Sequence, residues 1–152
     1  MSKRIVGVSP WSPRDGVDYD LMKAAGIEWV RQNSEFPFGR SEEDITPQYT
    51  RWFARYKEAK AAGMQIGFYY YVDTENETEA GEQAAHFASL VRDKEPDCRP
   101  AMEFVIDGLD NATVNRLALA FLQRAEELSG FAMCVYTNAY NAGNVYSGAI
   151  TA

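Results

Sequence analysis

Acidic side chains follow or interrupt the hydrophobic segments that we predict as β-strands. Glu35 follows the second segment, Asp73 ends the third, and Glu103 lies inside the fourth with Asp107 at its exit. In parallel α/β folds, ligands bind beyond the carboxyl ends of the strands. We therefore expect these four carboxylates to converge on one rim of the sheet.

Aromatic and amide side chains are interleaved with these carboxylates. They are Trp11 after the first segment, Tyr69 and Tyr71 on one side of the third, and Tyr136 and Asn138 at the end of the fifth. Paired carboxyl groups at a strand rim suit glycoside hydrolysis. One carboxyl donates a proton to the leaving oxygen, and another acts as base, nucleophile or charge stabiliser. The sequence therefore predicts a sugar-cleaving site whose substrate contacts are these five side chains.

Glu103 is the candidate for the proton donor. It lies inside a predicted strand between Met102 and Phe104, and burial among apolar groups raises a carboxyl pKa by disfavouring the charged form. A raised pKa is what a general acid needs. Asp73 or Glu35 would then supply the second carboxylate.

Each of these residues also has a purely structural interpretation. Glu103 fits a buried ion pair with a basic residue of a neighbouring strand, such as Arg31. Glu35 and Asp73 fit residues that cap loops. Trp11 fits a plug at the mouth of a barrel as well as it fits a platform for a sugar ring.

Other polar side chains are better explained by structure than by chemistry. Asp107 and Asp110 are typical of residues that cap the helix after the fourth strand. His86, the single histidine, lies in the middle of a predicted helix, away from the strand ends. One histidine and the separated Cys98 and Cys134 cannot supply a zinc site, and no phosphate-binding glycine loop is present. We therefore expect no metal and no cofactor.

Apolar segments alternate with amphipathic ones along the chain. We predict strands over residues 4–9, 27–32, 64–72, 100–106 and 131–137. We predict helices over 19–25, closed by Gly26, and over 77–92. Two further helices are predicted from Thr46, as cap, to Gly63 and from Asp110 or Asn111, as cap, to Gly130. This alternation indicates βαβ units and a parallel sheet. The third strand is almost entirely apolar, which is typical of a central strand covered on both faces.

Three of the predicted helices carry an apolar stripe at spacings of three and four. The stripes are Tyr49, Trp52, Phe53, Tyr56 and Ala59; then Ala80, Ala84, Phe87 and Val91; then Val114, Leu117, Phe121, Ala125 and Leu128. A barrel needs about eight strands to close, and five are predicted. The chain is therefore a fragment, forms an open sheet, or has its edges covered by an oligomer or a further domain.

The net charge and the distribution of apolar residues restrict the kinds of partner that the chain can bind. The formal net charge is −7, and a surface of that sign repels nucleic-acid phosphates and anionic membrane faces. No window approaches 18 apolar residues, and the basic amino terminus lacks the apolar stretch of a signal peptide. We therefore expect a protein that is made in the cytoplasm and binds neither nucleic acid nor membrane.

Five segments match a known family in kind and order: residues 7–11 (Gly-Val-Ser-Pro-Trp), 17–30, 56–71, 79–87 and 135–138 (Val-Tyr-Thr-Asn). The family that they resemble is the family 25 glycoside hydrolases, the lysozyme-type muramidases of bacteria, phages and fungi. The resemblance implies an α/β fold of the TIM-like (β/α)5(β)3 barrel type. The chain would form a partial (β/α)-barrel, with the five β/α units present and the last three strands absent. The chain would be a single domain over 1–152, incomplete at its C-terminus. The implied substrate is peptidoglycan, cleaved between N-acetylmuramic acid and N-acetylglucosamine.

The catalytic pattern departs from that of the family. The family's first strand carries an Asp where this chain has Gly7 or Ser9. Its fourth strand carries Asp-x-Glu, so Ala101 replaces the Asp if Glu103 matches the Glu, and Val105 replaces the Glu otherwise. Loss of a catalytic carboxylate is costly, because proton transfer alone supplies about 10²–10⁴-fold in rate. Two functions therefore stay open: a muramidase, or an inactive relative that serves as a cell-wall glycan-binding module or a phage virion structural protein. Either would act at the cell wall or in a phage particle.

Overall fold

Strands and helices alternate in the computed structural model, which describes residues 5–8, 17–34, 42–104 and 107–151. The strands are β1 (Ile5–Val8), β2 (Trp29–Asn33), β3 (Gln65–Val72), β4 (Ala101–Phe104) and β5 (Cys134–Val135). The helices are α1 (Tyr19–Ala24), α2 (Glu42–Ala61), α3 (Glu77–Val91), α4 (Asn111–Ser129), α5 (Ala139–Asn144) and α6 (Gly148–Thr151). The strands form one sheet in chain order. This architecture confirms the predicted α/β class with five β/α units.

The chain divides into two compact units. The first comprises residues 1–69 and 96–98, and the second comprises residues 70–95 and 99–152. In the first unit β1, β2 and β3 pair in parallel, with Gly7 opposite Arg31 and Arg31 opposite Gly67. In the second unit β4 and β5 pair in parallel, with Met102 opposite Val135.

The core of the first unit forms where α2 packs on the sheet. The ring of Trp52, a buried residue of α2, lies 5.3 Å from the ring of Phe68 in β3. The Trp52 indole N–H donates to Ser34 Oγ at 3.2 Å, and Gln32 Nε2 donates to the Trp52 carbonyl at 2.5 Å. Gln32 of β2 and Ser34 just after it are thus both bonded to the residue that fills the core, which helps to fix α2 on the sheet.

Asp97 ties residues 96–98 to the beginning of β3. Its Oδ2 accepts from Lys60 Nζ at 2.9 Å and from the Ile66 N–H at 2.8 Å, and its own N–H donates to the Ile66 carbonyl at 2.8 Å. Burial acts to raise the pKa of Asp97, but the hydrogen bonds from Lys60 and Ile66 outweigh it and hold that pKa below its usual value. Residues 96–98 pack closely against β3: a Cβ added at Gly67 would clash with Cys98 Sγ.

The core of the second unit is an aromatic cluster between β3 and two helices. The ring of Tyr70 lies 5.5 Å from that of Phe87 in α3 and 5.8 Å from that of Phe121 in α4. All four predicted inward residues of α3 are buried, and so are the first four of α4. Leu128, the fifth, was wrongly predicted to face inward. It is 37% exposed because it lies in the last turn of α4, beyond the packed surface.

The glycines predicted to end helices do so in the left-handed conformation. The φ angles are +79° at Gly26, +69° at Gly63 and +77° at Gly130. Glycine adopts positive φ angles at little energetic cost because it has no Cβ. The predicted start of α2 at Thr46 is wrong, since the helix begins at Glu42. Its first residues read Glu-Glu-Asp, a sequence that suits the positive end of a helix dipole.

The fifth strand is shorter than predicted. We expected it over 131–137, and β5 covers only Cys134–Val135. The preceding backbone groups bond to side chains near the end of α4 instead of to a neighbouring strand. The Phe131 N–H donates to Ser129 Oγ at 3.2 Å, and the Met133 N–H donates to Glu126 Oε1 at 2.8 Å. None of the described helices is long and apolar enough to cross a membrane.

Candidate functional site

The structure describes six of the eight predicted site residues. Glu35 and Trp11 lie outside the described residues, so their roles stay predictions. Tyr69 belongs to the first unit, where it is half-buried and its carbonyl accepts from the Ser34 N–H at 2.7 Å. The remaining five lie in the second unit and are called the candidate site below: Tyr71, Asp73, Glu103, Tyr136 and Asn138.

The pairing of β4 with β5 brings Glu103 and Tyr136 together. The Cys134 N–H donates to the Pro100 carbonyl at 3.0 Å, and the Tyr136 N–H donates to the Met102 carbonyl at 2.8 Å. The ladder therefore continues one residue past β5 and sets Tyr136 in register with Glu103. Residues in register on neighbouring strands project to the same face. Glu103 is half-buried and Tyr136 is 49% exposed, so a ligand at this face meets both.

The end of β3 carries the other two predicted groups of the rim. Tyr71 lies on the face opposite to the buried Tyr70 and is 37% exposed. This exposure corrects the prediction that β3 is covered on both faces. Asp73 is exposed and follows the strand directly; its carbonyl accepts from Gln83 Nε2 at 3.1 Å, which anchors the backbone there. Since β3 and β4 are neighbours in the sheet, Asp73 and Glu103 belong to neighbouring strand ends.

Asn138 and Asp110 cap helices of the second unit. Asn138 Oδ1 accepts from the Asn141 N–H at 2.8 Å at the start of α5. Asp110 accepts from the Thr113 N–H at 2.9 Å at the start of α4, which confirms its predicted role. Asp107 does not cap that helix, because the cap is Asp110; it lies in the turn before it. A ligand contact by Asn138 stays a prediction.

Tyr146 is a buried residue of the second unit that the sequence did not single out. Its side chain is 7% exposed. Burial raises the pKa of the Tyr146 hydroxyl, and the negative charge of Glu103 raises it further. The one signal for it in the sequence is a large aromatic residue among small and polar ones in residues 138–152.

The arrangement is suited to proton transfer beside a sugar ring. Glu103 is the carboxyl group on an inner strand, and Tyr136 and Tyr71 offer exposed ring faces at the ends of β5 and β3. Aromatic rings bury large apolar areas and pack well against flat apolar faces. Among the described residues there is no group of three side chains that could hold a metal ion. The chemistry that these residues offer is that of carboxyl groups.

Sequence comparison decides the family. Residues 8–151 match the family described as "Glycosyl hydrolases family 25". The chain belongs to this family. Its curated relatives include the autolytic lysozyme of Clostridium acetobutylicum, which is 26% identical over 133 residues. That match covers 86% of this family 25 chain and 37% of the relative, so the chain spans well under half of that protein's length.

Solved structures share the fold of this family 25 chain. The CTP1L endolysin is 20% identical with a TM-score of 0.69, and the match covers 98% of this chain and 50% of that one. The modular autolysin LytC from Streptococcus pneumoniae, solved with a synthetic peptidoglycan ligand, is 16% identical with a TM-score of 0.69. That match covers 91% of this chain and 33% of LytC. These likenesses establish the TIM-like architecture expected from the resemblance.

The fourth strand is where this chain departs from the family's Asp-x-Glu pattern. Ala101, which replaces the family's Asp if Glu103 matches its Glu, is buried on the same face of β4 as Glu103. Val105, which is the replaced position if Glu103 matches the Asp, lies outside the described residues, and so does Ser9. Glu103 is therefore the only carboxylate that the described part of β4 contributes.

Proposed function

We propose that this chain is a peptidoglycan-cleaving glycoside hydrolase of the muramidase type, with Glu103 as the proton donor. The observation that carries the proposal is the family 25 match over residues 8–151, together with a half-buried Glu103 in register with an exposed tyrosine. The substrate is the peptidoglycan glycan chain, and the place of action is the cell wall, where that substrate lies.

The proposed reaction needs two carboxyl groups. Glu103 donates its proton to the glycosidic oxygen as the bond to the leaving sugar breaks. The second carboxylate stabilises the positive charge that develops on the sugar ring, attacks it, or activates a water molecule. Asp73 is the described candidate, because it is exposed and follows the strand next to β4. Glu35, which lies outside the described residues, is the other candidate.

A second function is favoured by the altered pattern of β4. With Ala101 or Val105 in place of a family carboxylate, the chain would keep its exposed tyrosines but lose much of the rate. It would then be an inactive relative that serves as a cell-wall glycan-binding module or a phage virion structural protein. The structural interpretation of Glu103, a buried ion pair with Arg31, stays a prediction. If it is right, it supports this second function.

A turbidity assay on purified cell walls tests the first proposal. We expect lysis by the wild type and a loss of about 10²–10⁴-fold in rate for Glu103→Gln. The matched control is Glu82→Gln, because Glu82 is exposed on α3 and lies outside the candidate site. Lysis that survives in Glu103→Gln would remove Glu103 from the mechanism.

Two further results separate the alternatives. If the wild type does not lyse walls but is pulled down with them, the glycan-binding module is supported. If it neither lyses nor binds walls, the structural role stands. In an active enzyme, an Asp73→Asn variant decides between Asp73 and Glu35 as the second carboxylate: activity falls if Asp73 serves and persists if Glu35 does.

A further inference from the structure

Two exposed tyrosines lie on either side of the asparagine that caps α5. Five large apolar side chains are exposed among the described residues, and Tyr140 is the most exposed of them at 71%, with Tyr136 at 49%. Asn138, between the two tyrosines, begins α5. Single exposed apolar residues are ordinary on a protein surface, but two aromatic rings four residues apart mark a surface that can bind a ligand. We call residues 136–141 the tyrosine turn.

The tyrosine turn lies at the carboxyl-end edge of β4 and β5. Tyr136 directly follows β5, and its N–H donates to the Met102 carbonyl of β4 at 2.8 Å. Tyr140 is the second residue of α5, so it lies in the first turn of that helix. In a β/α unit the helix follows the carboxyl end of the strand, which is the edge where ligands bind. Four residues span at most about 14 Å, a distance that a few linked sugar rings cover.

Hydrogen bonds at both ends of α5 hold the backbone that carries Tyr140. At the start of the helix, Asn138 Oδ1 accepts from the Asn141 N–H at 2.8 Å. At its end, Asn144 Nδ2 donates to the Tyr140 carbonyl at 2.7 Å, and Asn111 Nδ2 of α4 donates to the Asn144 carbonyl at 2.9 Å. A side chain on a fixed backbone loses less conformational freedom when a ligand binds, which favours affinity.

The tyrosine turn offers uncharged polar groups beside its rings. Asn138 uses Oδ1 in the helix cap, whereas its Nδ2 bonds to no described residue, and neither does the Tyr140 hydroxyl. Residues 136–141 contain no charged side chain. A sugar ring presents C–H groups on its faces and hydroxyl or acetamido groups at its edge, which suit aromatic faces, amide donors and phenols. This chemistry fits a glycan better than an ionic ligand.

We propose that the tyrosine turn is a glycan-binding surface that extends the candidate site, with Tyr140 as the contact for sugars beyond the pair that is cleaved beside Glu103. A polymeric substrate continues past the cleaved bond, and Tyr136, in register with Glu103, is where it leaves the candidate site. Tyr140 touches no reacting atom, so it determines specificity for chain length and is not a catalytic residue. The identity of the ligand rests on the proposed function.

Glycans of defined length test this surface without enzymatic turnover. The probes are a tetrasaccharide and an octasaccharide of alternating N-acetylglucosamine and N-acetylmuramic acid, titrated by calorimetry into Glu103→Gln, in which cleavage is slowed. We expect the octasaccharide to bind more tightly than the tetrasaccharide. Adding Tyr140→Ala should weaken octasaccharide binding about 2–10-fold, the effect of one aromatic contact, and should weaken tetrasaccharide binding less.

Two matched variants in the same background control for surface and ring. Leu21→Ala removes a side chain that is nearly as exposed, at 68%, from α1 in the first unit, and it should leave both affinities unchanged. Tyr140→Phe keeps the ring and should restore most of the affinity lost in Tyr140→Ala. An equal loss in Tyr140→Phe, or an equal loss in Leu21→Ala, would overturn the ring contact on which the proposal depends.

Unchanged octasaccharide affinity in Tyr140→Ala would also overturn the proposal. If that variant instead changes the oligomeric state measured by sedimentation, the ring belongs to a contact between two copies of the chain. Lysis of walls with unchanged octasaccharide affinity would support the proposed enzyme and remove this surface. Octasaccharide binding that depends on Tyr140, in a protein that cleaves no glycan, would support the surface and refute the proposed enzyme.

Discussion

Tyr70 and Tyr71 are consecutive residues of β3 with opposite surroundings. Tyr70 is 1% exposed and lies in ring contact with Phe87 and Phe121, whereas Tyr71 is 37% exposed on the other face. The same side chain thus fills the core on one face of the strand and remains open to a ligand on the other. The comparison shows that β3 stabilises the second unit and supplies the candidate site through alternate positions.

The largest effect is expected on the core face. Tyr70→Ala removes a buried ring from between α3 and α4 and should lower the free energy of unfolding by about 3–5 kcal/mol, as other large aromatic truncations do. Urea denaturation measures it. Tyr70→Phe keeps the ring and is the control. A loss below about 1 kcal/mol for the alanine variant would show that the two faces do not differ as described.

A smaller loss is expected where Asp97 holds the beginning of the same strand. Asp97→Ala should cost about 1–3 kcal/mol, because the Ile66 N–H and Lys60 lose their charged acceptor. Asp97→Asn keeps one acceptor and should cost less. The folded pKa of Asp97 lies below 3.8, so its contribution is present above that pH and is lost as the pH falls through the folded value. The difference between Asp97→Ala and the wild type should therefore shrink in strong acid; a constant difference would contradict this assignment.

His86 makes the core face sensitive to mild acid. Its ring lies 6.3 Å from that of Tyr70, and burial lowers its pKa below 6.5. The unfolded chain therefore binds a proton more readily than the folded one, and stability present above pH 6.5 is lost as the pH falls toward the folded pKa. Unfolding free energies at pH 7.5 and 5.5 should differ more in the wild type than in His86→Gln. Equal differences would exclude this residue as the cause.

The smallest stability effect is expected on the open face. Tyr71→Ala should change the free energy of unfolding by no more than about 0.5 kcal/mol, yet reduce binding to purified cell walls. Leu128→Ala is a matched control, because Leu128 is equally exposed, at 37%, but lies in the last turn of α4. Wall binding that falls equally in both variants would indicate a general loss of apolar surface and not a site at β3.

The parts of the fold that follow local rules were predictable from the sequence. Gly26, Gly63 and Gly130 end helices where expected, because a left-handed residue after a helix strongly favours glycine. The inward stripe of α3 was likewise correct, since its apolar spacing matches the helical repeat. The predicted start of α2 and the predicted length of β5 were wrong. Both are decided by hydrogen bonds and charges at the ends of the elements, which the apolar pattern does not report.

The candidate site was predictable only as a set of strand ends. Strand order follows from βαβ connectivity, so Tyr71, Asp73, Glu103 and Tyr136 could be assigned to one edge of the sheet. The hydrogen bonds of Asn111 and Asn115 to residues 144–147 could not be predicted, because these two asparagines look like any polar pair on an exposed helix face. Their partners lie about 30 residues away in a segment without periodicity, and so Tyr146 was missed with them.

The most direct test of the central claim is the chemistry of the cut glycan. Purified peptidoglycan incubated with the wild type should gain new reducing ends at N-acetylmuramic acid, detected by borohydride reduction and mass spectrometry. Glu103→Gln should release them at least about 100-fold more slowly. The same number of new reducing ends from both proteins, or reducing ends at N-acetylglucosamine alone, would contradict a muramidase centred on Glu103.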